Sequence, residues 1–289
     1  MSPWGSTPSP APPRPVPCTR YSRRAGRGRL DVTAPPQRTP FVGRELELAV
    51  LRERLAQVRQ GQGQVVKTTL AADGFASIDC WGSPYAQHTA LYPVIEWLQR
   101  GVHGDSNTPA PERLIRLEAL VQQAGPDGHA GLPLLAALLG LHLPEARYPA
   151  LQLTPQRQRQ RTLETLVALL LGLATKQPVL LLVEDLHWLD PTTLEWLGMV
   201  LAQGPTAPLF TLLTCRPTFA SPWGSRMHLT PLTLPRLLPQ QVQQMVQWLG
   251  RGRLTPAQLQ QIVRQTDGVP LFVEEVTKFV LAVCPWHNP

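Results

Sequence analysis

Residues 179–191, VLLLVEDLHWLDP, constrain the fold more than any other stretch of this 289-residue chain. Five apolar residues, Val179 to Val183, follow the stop signal Gln177-Pro178 and run directly into two acids, Glu184 and Asp185. An apolar run of that length, bounded by a turn signal, predicts a strand buried on both faces, as in a parallel sheet. Open α/β sheets take their ligands outside the carboxyl ends of the strands, which is where Glu184 and Asp185 fall. Asp190-Pro191 then supplies an N-cap and a first-turn proline for a helix over 191–202. Two acids at a strand end also fit a plain solvated terminus, and the pair alone does not choose between the readings.

The longer string does. EDLHWLDPTTLEWL closely resembles the Walker B region of the STAND signal-transduction ATPases, an AAA-like group. The likeness is greatest to the version that follows class III nucleotide-cyclase domains in bacterial regulators. The resemblance implies a P-loop-NTPase-like α/β fold, a parallel sheet flanked by helices, with ATP and Mg²⁺ as cofactors. It implies that Glu184 and Asp185 are the metal-binding and catalytic acids, one holding Mg²⁺ and its neighbour orienting the attacking water. Phe41-Val42-Gly43-Arg44-x-x-Glu47 matches the family's hhGRxxE motif, whose backbone lines the adenine pocket in relatives. Thr214-x-Arg216 matches hhToR, which casts Arg216 as a sensor of the γ-phosphate, suited to bidentate oxyanion contact. Gly268-Val269-Pro270 matches GxP, whose proline packs against adenine in relatives. Read singly, an arginine after a strand is a surface ion pair, and Gly268 with Pro270 is a helix C-cap followed by a helix start. The four motifs stand in family order, and the resemblance covers about residues 29–282.

The fifth motif is missing. Gly63 to Val66, GQVV, reads as the first core strand and SIDC, 77–80, as the second, with only ten residues, 67–76, between them. A parallel crossover ordinarily takes a dozen or more. The phosphate loop GxxxxGK[ST], which cradles phosphates with backbone N–H groups and a lysine, is therefore expected to be deleted with most of its helix. GQGQVVKT, 61–68, imitates that loop with Lys67 and Thr68, but Val66 stands where a glycine belongs. A charged helix rather than a buried strand precedes it, and a β-branched residue does not suit a turn needing positive φ.

Net charge is +7, a balance that might be read as nucleic-acid binding until it is located. Residues 1–40 hold seven arginines against one acid, leaving 20 basic and 19 acidic residues for the rest. The basicity belongs to that segment, whose residues 1–38 carry nine of the 32 prolines, a composition that predicts a disordered tail over 1–38. A nucleic-acid partner ranks last among the expectations. Cys18, Cys80, Cys215 and Cys284 show no metal spacing and fit reduced thiols, with Cys80 and Cys215 placed in strands. No segment reaches the ~18 apolar residues of a membrane span, and no apolar stretch follows the N-terminal arginines, so a cytoplasmic protein without membrane contact is expected.

The expected organisation is a tail over 1–38, an ATPase-like α/β domain over 39–235 with a helical insertion at about 101–153, and a truncated helical domain over 236–289. Helices are predicted at 111–124, from Thr154-Pro155, and at 239–249, 256–266 and 270–283, with a further buried strand over 208–217. The missing loop leaves Glu184, Asp185 and Arg216 without an anchored triphosphate, so an ATPase-like regulatory module with impaired hydrolysis is expected. The alternative is a non-catalytic remnant or protein-interaction scaffold that binds no nucleotide. Protein partners are expected but not identified by anything in the chain. Loss of the crossover helix further predicts an uncovered sheet face, low stability and aggregation.

Overall fold

The computed structural model describes residues 42–59, 64–66, 75–103, 108–125, 131–144, 148, 152–224 and 228–283. The expected tail at 1–38, the Lys67 and Thr68 imitation, Phe41, Cys18 and Cys284 lie outside the described residues. Contacts divide the chain into two units, residues 49–232 and residues 1–48 with 233–289.

The larger unit is built on β3, Val179–Glu184, whose five apolar residues are all buried. Its neighbours are β2, Ala76–Trp81, on one side and β4, Leu209–Leu213, on the other, both parallel to it. β1, Gln64–Val66, pairs in parallel with β4 and with β5, Leu229–Thr230, giving the order β2-β3-β4-β1-β5. The expected parallel α/β sheet is present, and β3 sits inside it as its apolar run requires.

Alternation along the strands sorts the core into two layers. Val179, Leu181 and Val183 share one cluster with Ile78 and Cys80 of β2 and Leu209 and Leu213 of β4. Helices supply the rest of that layer. They are α2 (Tyr92–His103), α3 (Ala110–Gln123), α4 (Leu132–Leu138), α5 (Pro155–Lys176) and α6 (Pro191–Gln203). Leu98, Leu117, Leu135, Leu166, Leu170 and Trp196 are their most deeply buried side chains. On the opposite face, Leu180, Leu182, Phe210 and Leu212 are buried against Leu51, Leu55 and Val58 of α1 (Glu45–Arg59), with Phe75 and Leu232.

That second layer corrects the expectation of an uncovered sheet face: the α1 residues close it over β3 and β4. β2, an edge strand, has a polar second face, where the Ser77 hydroxyl donates to Asp79 at 2.8 Å. The Arg100 guanidinium donates to the Asp79 carbonyl and stacks 4.2 Å from the Trp81 ring, covering an edge that would otherwise offer a free backbone acceptor. β1 and β2 are separated in the sheet by β4 and β3, about 14 Å at the usual strand spacing. Nine residues join them, an extended reach of roughly 30 Å, so the crossover closes with fewer than the usual dozen residues.

Helix starts follow their caps. Asp190 accepts from Thr192 N and Thr193 N at 2.9 Å each, and its carboxylate also takes the Thr193 hydroxyl, all of it buried. A cap of this kind stabilises by about 1 kcal/mol. Thr154 caps α5 through Arg157 N.

In the smaller unit three helices, α7 (Pro239–Gly250), α8 (Pro256–Gln265) and α9 (Pro270–Val283), close around Leu237, Val242, Val246, Ile262 and Val273, with Val42 packed against them. Thr255 and Gln258 form a reciprocal capping box at the start of α8. Among the described residues no helix is long and apolar enough to cross a membrane.

The expected strand over 208–217 is shorter. β4 ends at Leu213, one residue before its partner β3 ends, so Cys215 lies beyond the sheet and half-buried. Cys80 sits within β2 as expected, and burial pushes its thiol up to about 12. At pH 8 Cys80 is therefore expected to resist iodoacetamide in the folded chain and to label at once in denaturant, whereas Cys215 labels from the folded state. Mass-spectrometric mapping checks this, and native labelling of Cys80 would contradict the packing of β2.

Candidate functional site

The carboxyl ends of β2, β3 and β4 converge on one backbone turn. After Glu184 the chain swings through Asp185, held in the left-handed region at φ 57°, ψ 50°, into a short 3₁₀ turn over Leu186–Trp188. Aspartate is among the few non-glycine residues that accept this conformation readily. Three strand ends lock the swing. Asp185 N donates to the Thr214 hydroxyl at 3.1 Å, and Leu186 N to the Thr214 carbonyl at 2.9 Å. Thr214 N donates back to Val183 O at 3.0 Å, and Gly82 N, beyond β2, donates to Glu184 O at 2.8 Å. Glu184 itself pairs in register with Trp81.

Gly82 is required for this approach. A Cβ there would lie 2.4 Å from the Asp185 carbonyl and 2.9 Å from the Trp188 Cβ. Nothing local in the sequence pointed to Gly82, because the atoms it must avoid belong to a turn a hundred residues away.

Around the turn stand the groups with chemistry. Glu184 and Asp185 are half-buried, each with interactions to other parts of the chain. Arg216, exposed, has its guanidinium 5.5 Å from the centre of the Trp188 ring. Both ring nitrogens of His187 are buried and have no hydrogen-bond partner among the described residues, and the ring lies 5.0 Å from that of Trp188. Sequence reasoning passed over His187 and Trp188, although both lie within the string that carried the resemblance.

Glu184, Asp185 and Arg216 are thus brought together at neighbouring strand ends of one unit. No three His, Cys, Asp or Glu side chains form a metal cage among the described residues. Mg²⁺ needs none, since it binds through one or two carboxylates, waters and the phosphates of its ligand, so the acid pair fits such an ion.

Val42, Gly43, Arg44 and Pro270 belong to the other unit. Val42 packs into its helical core. Gly43 has φ +66°, and the Gln241 side chain lies against its bare face, 2.1 Å from where a Cβ would stand. Gln241 also accepts from Leu238 N at 2.8 Å, capping α7. Arg44 is 8% exposed, pairs with Glu47 at 3.0 Å and donates to the Pro235 carbonyl, so its guanidinium ties residues 42–47 to the segment before α7. Gly268, at φ +69°, sits against Leu237, whose N–H donates to the Gly268 carbonyl at 2.8 Å. Pro270, exposed, is the first residue of α9.

A sequence model of the AAA ATPase domain matches residues 40–212. The chain is 26% identical over 265 aligned residues to an uncharacterised protein of Rhizobium meliloti (strain 1021), covering 83% of this chain and 25% of that protein. It thus spans about a quarter of the length of the curated relative it matches. Similar solved structures include a STAND protein with a tetratricopeptide repeat sensor from Pyrococcus horikoshii, with a TM-score of 0.36 and 14% identity, covering 81% of this chain and 29% of that one. Another is a chain of the HORMA:CdnC:Trip13 complex of E. coli MS115-1, with a TM-score of 0.41 and 15% identity, covering 85% and 84%. At these scores neither bears on function.

The geometry of the turn makes one demand that can be measured. Gly82→Ala is expected to destabilise the chain by roughly 1–3 kcal/mol, the usual cost of forcing an added methyl against backbone. Urea unfolding of the two proteins measures it, and a neutral result would show that the β2 and β3 ends are farther apart than described.

Proposed function

We propose that this chain, which belongs to the AAA ATPase domain family, is a nucleotide-binding regulatory module of STAND type from a bacterial signalling protein. It is of the kind that follows a class III nucleotide-cyclase domain, and it is impaired in hydrolysis. The observation that carries the reading is the hydrogen-bonded turn that sets Glu184 and Asp185 beside Thr214 and Arg216. In the proposed roles the two carboxylates take Mg²⁺ and orient a water, and Arg216 meets terminal phosphate oxygens. Bound Mg²⁺ would neutralise charge on the phosphates. Within the smaller unit, taken by itself, Val42, Gly43, Arg44 and Pro270 have the proposed role of adenine contacts, Arg44 by fixing the backbone of its segment through Glu47 and Pro235.

The impairment follows from chain length. Nine residues between β1 and β2 leave no room for an eight-residue phosphate loop and the helix that follows it. Phosphoryl transfer depends on positioning and electrostatics, and the loop's amides and lysine are the main part of both. The same short connection favours the second reading, a scaffold that binds protein partners and no nucleotide.

Mg²⁺-dependent ATP binding by the purified chain separates the two, measured beside Glu184→Ala/Asp185→Ala. Affinity in the roughly micromolar range, lost by about tenfold or more in the double variant and indifferent to it in EDTA, is expected, with hydrolysis no faster than in the variant. A folded chain that binds no ATP would remove the nucleotide reading and leave the scaffold.

A further inference from the structure

Arg216 follows the end of β4. Among the described residues no carboxylate pairs with it, and its side chain is exposed. The contact it does make is with Trp188, at 5.5 Å from guanidinium carbon to ring centre, within cation–π range. Trp188 is itself held firmly. Its N–H donates to the Asp185 carbonyl at 2.8 Å, its Cβ and carbonyl carbon lie 2.9 and 3.2 Å from where a Cβ on residue 82 would stand, and its ring leans on His187. The Arg216 side chain thereby rests against a ring whose backbone is fixed by the turn after β3.

A guanidinium held over a ring by a cation–π contact still has N–H donors to offer oxygen acceptors. An arginine without such a contact gives up rotamer freedom when it meets an anion; one already held gives up less. We propose that Trp188 is a positioning residue for Arg216, holding its donor edge at the carboxyl end of the sheet for the oxygens of a triphosphate. The inference rests on the nucleotide reading above. It assigns to Trp188 a task that no motif match assigns to it.

The test is a double-mutant cycle on the full 289-residue chain, with Mg-ATP and AMP as probes. Trp188→Leu is expected to weaken ATP binding roughly tenfold, the weight of about one charge-assisted hydrogen bond, and to leave AMP unchanged. Arg216→Ala should do the same, and the double variant should be no weaker than either. Trp188→Phe, which keeps a π-face, should retain most of the ATP affinity. Full ATP affinity in Trp188→Leu, an equal loss of ATP and AMP, or losses that multiply in the double variant would each overturn the assignment alone. A folded parent chain that binds no Mg-ATP would overturn the nucleotide reading and this assignment with it. Should Trp188→Leu fail to fold by circular dichroism, the cycle runs on Trp188→Phe. Its smaller loss must then vanish in the Arg216→Ala background, and an equal loss in both backgrounds overturns the proposal.

Discussion

Two-sided burial of β3 is the constraint on which the larger unit depends. Val179, Leu181 and Val183 enter the helical layer, and Leu180 and Leu182 enter the layer closed by α1. At about 1.5–3 kcal/mol for each side chain fully removed from water, five such residues are worth on the order of 10 kcal/mol before the unfolded chain's own burial is discounted. That is comparable with the whole net stability of a domain. The run can only end where water begins, so the change of character at Val183-Glu184 fixes where the carboxyl edge of the sheet lies. The acids are not added to that edge; they define it.

What could be read from the sequence was what short-range chemistry decides. The apolar run of β3 announced its strand, and Asp190-Pro191, Thr154-Pro155 and Thr255-Pro256 announced α6, α5 and α8, because a cap and a first-turn proline act within a few residues. The end of β4 was overrun because Thr214-Cys215-Arg216 looks strand-like. Its pairing stops with that of β3, a partner 30 residues away in the chain. The charged helix ahead of GQGQVVKT was legible, but which surface it would close was not. The uncovered-sheet expectation failed at that step, since covering is a tertiary event and the crossover helix is not its sole source.

The candidate site divides in the same way. Its acids and Arg216 were found through motif spacing, and the structure sets all three on adjacent strand ends. Gly82 and the contact of Arg216 with Trp188 escaped notice because each is a meeting of distant segments. Arg44 is explained by packing. Read as part of a nucleotide motif, it is found buried, paired with Glu47 and bonded to the Pro235 carbonyl, so its charge is spent within its own unit. A motif string reports which residues a family keeps together, and only packing tells which of them face a ligand.

The left-handed backbone at Asp185 gives the two acids a preferred order. Position 184 is the last residue of a strand and accepts any side chain that tolerates an extended backbone. Position 185 must reach φ near 57°, which favours Asp, Asn or Gly over the longer Glu. Glu-Asp and Asp-Glu carry the same charge and the same atoms, yet the first fits this turn with less strain. The shape of the main chain, ahead of any demand from chemistry, chooses which carboxylate stands on the short tether.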